Sequence, residues 1–160
     1  MNALKLNDHS ILELESNLLL INLGPRRESG DILSDQVQNI KNNPISIEAT
    51  HRTRELAIEI KLALIRGDYF HFAELLDLGW QEKKKFSTKV SNPQIDEIYE
   101  TLKESGVMGG KILGAGGGGH MLLYCRPNQK GNVSRKIQQL NLQEVPFNFE
   151  NKGLTVWFVR

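Results

Sequence analysis

The sequence predicts an α+β domain of the ferredoxin-like class, with a mainly antiparallel sheet and helices packed on one of its faces. Three observations carry this. Short apolar runs of strand length stand toward both ends of the chain, at Leu18–Leu23 and Met121–Cys125. Apolar residues recur at helical spacing through most of the residues between them. The resulting order is strand, several helices, strand, strand, helix, strand, strand, so strands far apart in sequence must pair beside a helical layer. At 160 residues the chain suits one domain spanning 1–160, and 39% hydrophobic with 24% charged residues sustains a packed core rather than wholesale disorder.

Each element has a local reason. Leu4 and Leu6 alternate with polar neighbours, so the N-terminal stretch reads as extended. Leu18-Leu19-Leu20-Ile21-Asn22-Leu23 is a strand-length run stopped by Gly24-Pro25. Gly30-Asp31 opens a helix offering Ile32, Leu33, Val37 and Ile40 on one face, and it ends before Pro44 because the residue preceding proline avoids helical angles. Ser46 caps a longer helix to about Arg66, with Leu56, Ile60, Ala63 and Leu64 as its buried stripe. Gly67 stops that helix and Asp68 caps the next, which gives Phe72, Leu75 and Leu76 to the core and passes through Gly79-Trp80 into Lys83-Lys84-Lys85. Pro93 starts a helix with acidic Asp96 and Glu97 in its opening turns, the apolar face Ile95, Ile98, Tyr99, Leu102, and a stop at Gly106. Lys111-Ile112-Leu113 and Met121–Cys125 are extended around a glycine loop. Val133, Ile137 and Leu140 mark a short helix, and Val145–Phe149 with Leu154–Val159 reads as a terminal hairpin.

Composition narrows the function classes. Lys plus Arg number 20 against 19 Asp plus Glu, a net charge of +1, which gives no global reason to expect nucleic acid or an anionic membrane. The isolated Lys83-Lys84-Lys85 run reads as a solvated helix face. One cysteine, Cys125 in an apolar strand, excludes an internal disulfide and any cysteine-rich zinc site, and His9, His51 and His71 have no metal-ligand spacing. No run approaches the roughly 18 apolar residues of a membrane span and the start has no signal-peptide anatomy, so the expected location is cytoplasmic.

Glycine is where the chain departs from the average. Eight of the fourteen lie between Gly106 and Gly119, and residues 114–119 read Gly-Ala-Gly-Gly-Gly-Gly. Gly114, Gly116 and Gly119 formally satisfy G-x-G-x-x-G, but a dinucleotide turn must open a helix, and here His120 to Cys125 is an apolar β-type run. No Gly-Lys-Ser/Thr closes the loop, so it is not a P-loop either. What remains is strand, glycine loop, strand. Either the glycines take positive φ and expose backbone N–H groups as an anion-binding nest, or they merely relieve a tight connection.

The string Val107-Met108-Gly109-Gly110-Lys111-Ile112-Leu113-Gly114-Ala115-Gly116-Gly117-Gly118-Gly119-His120-Met121-Leu122-Leu123-Tyr124 resembles the third motif of the GHMP small-molecule kinases. The stretches Leu18–Gln36, Gly67–Lys85 and Ser91–Tyr99 and the ending Val145–Phe149 are similar to kinases of D-glycero-D-manno-heptose 7-phosphate and to fucokinase-like enzymes. The resemblance covers nearly the whole chain but only the C-terminal half of such a kinase. It implies ATP-dependent phosphoryl transfer with Mg²⁺ to a small metabolite such as a sugar phosphate. The loop Gly114, Ala115, Gly116, Gly117, Gly118 and Gly119 would sit beside the phosphate loop of an N-terminal domain.

That nucleotide loop, of Pro-x-x-x-Gly-Leu-Gly-Ser-Ser-Ala type, has no counterpart in these 160 residues. The chain alone is therefore expected to be inactive, to bind neither ATP nor Mg²⁺ tightly, and to need an N-terminal kinase domain as partner. Arg26 and Arg27 stand where the family often has an arginine near the sugar-phosphate pocket, and His120 replaces a usually apolar residue at the loop exit. These three are the candidates for holding a substrate anion, with a structural role as the alternative for His120. A stand-alone regulatory module, binding a small effector or dimerising through its sheet, remains the competing reading.

Overall fold

The computed structural model of the chain describes residues 4–25, 29–150, 153–154 and 156–157. Ten elements follow in order: α1 (Asp8–Asn17), β1 (Leu18–Asn22), α2 (Ser29–Asn42), α3 (Pro44–Arg66), α4 (Tyr69–Lys84), α5 (Pro93–Glu104), β2 (Val107–Ile112), β3 (His120–Cys125), α6 (Lys130–Gln139) and β4 (Gln143–Glu144). The strands form one antiparallel sheet in the order β2-β3-β1-β4. The fold is α+β with the ferredoxin-like strand order, as the sequence predicts, but helices cover both faces of the sheet rather than one. Leu19 pairs with Leu123 and Ile21 with Met121, placing the two strongest apolar runs at the centre of the sheet.

Side chains alternate across a strand, and here the alternation separates two cores. Leu19, Ile21, Met121, Leu123 and Cys125 join Ile32, Trp80, Ile95, Tyr99, Leu102, Val133 and Ile137 in one. Leu18 and Tyr124 join Leu14, Leu56, Ala63, Phe72, Ala73 and Leu76 in the other. Helices α5 and α6, with Ile32 of α2, line the first core. Helices α1 and α3 line the second, and α4 contributes to both.

Several local readings change. Residues 8–17 are helical rather than extended, because the Asn7 side chain accepts a hydrogen bond from the Ser10 amide at 2.8 Å and Leu14 follows on the buried face. Helix α3 is capped by Asn43, not Ser46: Pro44 occupies its first turn, and Ser46 lies fully buried with its hydroxyl donating to the Lys85 carbonyl at 2.8 Å. Helix α2 buries Ile32 and Gln36 and leaves Leu33 and Val37 about half exposed. The terminal hairpin is absent among the described residues; its expected turn at Asn151-Lys152 and Thr155, Phe158 and Val159 of its second strand lie outside them. The Val145 amide donates to the Leu20 carbonyl at 2.8 Å, Pro146 brings no donor to continue the ladder, and Leu154, Val156 and Trp157 are exposed and unpaired with any strand.

Cys125 is fully buried in β3. Burial pushes its thiol up to about 12, against a smaller opposing pull from Lys130. The thiolate is the reactive form, so the folded chain should not react with a disulfide reagent such as DTNB near pH 8, and one thiol should titrate once guanidinium is added. A rapid reaction of the folded chain would contradict this burial.

Candidate functional site

Strands β2 and β3 end side by side, with the Leu113 amide donating to the His120 carbonyl at 2.8 Å, and residues 114–119 form the loop between them. Every glycine in it has positive φ: Gly114 at 78°, Gly116 at 111°, Gly117 at 71°, Gly118 at 133° and Gly119 at 80°. The one residue with a Cβ, Ala115, has negative φ and is buried. The pattern Gly-Ala-Gly-Gly-Gly-Gly therefore follows the backbone angles residue by residue, since L side chains are strained at these φ values. At Gly116 space adds a second reason, because a Cβ would stand 2.7 Å from the Val90 carbonyl oxygen.

The loop is tied on several sides. The Gly117 amide donates to the Val90 carbonyl at 2.8 Å and the Gly119 amide to the Gly24 carbonyl at 3.2 Å, while the Gly119 carbonyl accepts from the Leu23 amide at 2.7 Å. Gln36 of α2 donates through Nε2 to the Ala115 carbonyl at 2.8 Å. Lys83 of α4 places its ammonium on the Gly114 carbonyl and 3.5 Å from that of Ile112. Beneath the loop, Val90 is fully buried and its turn is fastened through Ser87, whose hydroxyl bonds to Asp35. That bond, with the nearby Lys89 ammonium, holds the Asp35 carboxyl below its usual range despite some desolvation. A slack connection is thus not what the glycines make. Among the described residues, the amides of Ala115, Gly116 and Gly118 donate to no acceptor.

Behind β2 lies a second polar group. Asp77 of α4 accepts from the Tyr99 hydroxyl at 2.7 Å and pairs with the Lys103 ammonium at 3.0 Å, and the Tyr99 ring packs where a Cβ on Gly110 would meet it. Burial opposes ionisation of Asp77, but the bonds from Tyr99, Lys103 and Gln81 outweigh it and its carboxyl sits below the ordinary value. Burial, with Asp77 beside it, drives the Tyr99 hydroxyl strongly upward. The sign for Asp77 is that of a depressed carboxylate: its contribution is present above the unfolded value near pH 4 and is lost as pH falls through the lower folded value. Thermal melts from about pH 6 to pH 3 should therefore show a steeper acid decline for the natural chain than for Asp77→Asn. Parallel curves would remove this group from the acid limb.

The sequence-predicted site residues fare differently. Gly114 to Gly119 form the loop described above. His120 opens β3 opposite Asn22, partly exposed, and its ring bonds to no described residue. Arg26 and Arg27 lie outside the described residues. Gln36, Val90 and Lys83 were not legible as loop partners. The lysine run is not a uniformly solvated face: Lys85 pairs with Glu82, Lys84 with Asp96, and Lys83 turns onto the loop. No group of three or more His, Cys, Asp or Glu among the described residues could hold a metal ion. No described helix is long and apolar enough to cross a membrane.

Comparison with known proteins shows the family and the fold. The sequence model of the family described as "GHMP kinases C terminal" matches residues 60–141. The chain is 31% identical over 157 residues to the D-glycero-alpha-D-manno-heptose 7-phosphate kinase of Campylobacter jejuni, covering 98% of this chain and 46% of that protein. It spans about half or less of the length of the curated relatives it matches. Its fold matches the crystal structure of a sugar kinase from Campylobacter jejuni with a TM-score of 0.67 at 29% identity, over 98% of this chain and 43% of the other. A D-glycero-D-manno-heptose 1-phosphate kinase from Bacteroides thetaiotaomicron matches with a TM-score of 0.65 at 28% identity, over 98% and 41%.

Proposed function

Because the chain belongs to the GHMP kinase C-terminal family, we propose that it is the C-terminal part of an ATP-dependent kinase acting on a heptose phosphate or a closely similar sugar. The observation that carries the reading is the loop 114–119, whose glycines have positive φ and whose Ala115, Gly116 and Gly118 amides have no acceptor among the described residues. Phosphoryl transfer depends on positioning and on stabilising negative charge, and backbone N–H groups free of side chains suit phosphate oxygens at close range. When bound to the complete kinase, ATP would supply the phosphoryl group and Mg²⁺ would offset its charge. The described residues offer the metal no ligand set, so this chain's contribution is the shaped backbone surface.

The N-terminal kinase domain is the proposed partner. Leu33 and Val37, about half exposed on α2, flank Gln36, which reaches the loop, so an apolar strip lies next to the proposed transfer site. Two of the relatives that align along almost the whole chain are named as heptose phosphate kinases, which supports that substrate class. His120, partly exposed at the loop exit, is the proposed contact for a substrate anion.

The test is co-expression with the N-terminal part of the Campylobacter jejuni heptose 7-phosphate kinase, followed by an ATP-consumption assay. The expected result is association and turnover with heptose 7-phosphate, less with galactose or mevalonate, and none from the chain alone. Failure to associate would count against an N-terminal kinase domain as the partner. A chain that alone phosphorylated a sugar phosphate at a kinase-like rate would overturn the proposed dependence on a partner.

A further inference from the structure

We propose that Gln36 and Lys83 are positioning residues that orient two consecutive peptide planes of the glycine loop and so set its affinity for phosphate. The inference rests on the phosphate-facing reading of the loop and adds to it the side chains that create that face.

The argument begins with the trans peptide, in which the carbonyl of one residue and the amide of the next point to opposite sides of one plane; no cis bond interrupts the described chain. The Gly114 carbonyl is held by Lys83, so the Ala115 amide points away from Lys83. The Ala115 carbonyl is held by Gln36, so the Gly116 amide points away from Gln36. These are two of the amides that find no acceptor among the described residues. Glycine-rich backbone has shallow preferences between alternative plane orientations, so an external tether on each carbonyl is what selects one.

Gln36 also sits where packing alone would not put it. It follows Ile32 by one helical turn on the buried stripe of α2 and is 9% exposed, whereas the apolar Leu33 and Val37 face outward. Burying an amide side chain costs free energy unless it is hydrogen-bonded, and its described partner is a loop carbonyl 79 residues away in sequence. Lys83 is likewise drawn from a lysine run whose other two members pair with surface carboxylates. Two different helices thus each commit a polar side chain to neighbouring carbonyls.

The experiment uses the isotopically labelled chain, with Lys83→Met, Lys83→Arg, Gln36→Glu and the double variant Lys83→Met/Gln36→Glu. Glu cannot donate from its carboxylate, yet keeps the shape of Gln. First, backbone carbonyl ¹³C shifts are read at Gly114 and Ala115. Then the amide shifts of Ala115 and Gly116 are followed as inorganic pyrophosphate is added. We expect Lys83→Met to move Gly114 and Gln36→Glu to move Ala115, with apparent pyrophosphate affinity falling about fivefold in each, as loss of one orienting hydrogen bond implies. Lys83→Arg should restore most of it. Unchanged carbonyl shifts in folded variants, or an unchanged pyrophosphate response despite moved carbonyls, would overturn the proposal. A natural chain whose loop amides ignore pyrophosphate, with carbonyl shifts still moved in the variants, would instead overturn the phosphate-facing reading, and the affinity claim with it. A variant that loses its dispersed spectrum is replaced by the milder Lys83→Gln, which keeps one donor and should give an intermediate response.

Discussion

Gly109→Ala is expected to lower the melting temperature by roughly 10 °C, from a loss of about 3 kcal/mol or more. A Cβ at this position would stand 1.9 Å from the Ala73 carbonyl oxygen and 3.1 Å from the Asp77 amide nitrogen, both in the backbone of α4. Backbone cannot turn aside as the end of a side chain can, so helix and strand must separate. Such a shift would also move Trp80, fully buried two turns along α4 from Ala73, and Lys83 on the loop. Gly79→Ala is the matched control on the same helix. Nothing lies within 4 Å of its added Cβ and its φ is not positive, so relief of a helix-interior glycine should raise stability by about 0.5–1 kcal/mol. Thermal or urea melts of the two single variants check both signs. A Gly109→Ala chain as stable as the natural one would mean that α4 does not rest on β2 this closely.

In the reconstituted kinase, Gly118→Ala should lower kcat by about 100-fold while the chain stays folded, because displacing groups at a transfer site by about an ångström costs that much. Gly118 has φ of 133°, a region that side chains avoid, so alanine must rotate the backbone on either side. The stability cost should be modest, about 1–2 kcal/mol, since Gly118 itself carries no side chain into either core, unlike its loop neighbour Ala115. Steady-state kinetics with melting curves on the same samples separate the two effects. Gly116→Ala should act in the same direction, with an added clash against Val90. Full activity in both variants would take the loop out of the transfer site.

How much of this was legible in the residues varies with the range of the signal. Strands β1 and β3 and helix α5 each carry a complete local pattern: a short apolar run, or Ile95, Ile98, Tyr99 and Leu102 at helical spacing behind an Asn92 cap. Helix α1 was hidden because Leu4 and Leu6 mimic strand alternation, although the Asn7 cap three residues before Ser10 was a usable sign. At Ser46 a plausible cap was outcompeted by Asn43-Pro44, and the hydroxyl satisfied the Lys85 carbonyl instead. The apolar ending around Leu154 to Trp157 has strand-like composition, but β propensity needs a partner edge to become a strand.

The candidate site divides in the same way. A run of five glycines around one alanine permits positive φ at every position but Ala115, because steric exclusion acts within each residue and needs no fold to operate. The short apolar runs on either side of it, not the glycines, show that strands rather than a helix flank the loop. Which of the loop's peptide groups are held, and by what, is set in three dimensions. Gln36 lies 79 residues from Ala115 and Lys83 lies 31 from Gly114, so these contacts exist only after α2, α4 and the sheet have packed. Hydrogen bonds form between whatever groups packing brings within about 3 Å, and no periodicity along the chain encodes that distance.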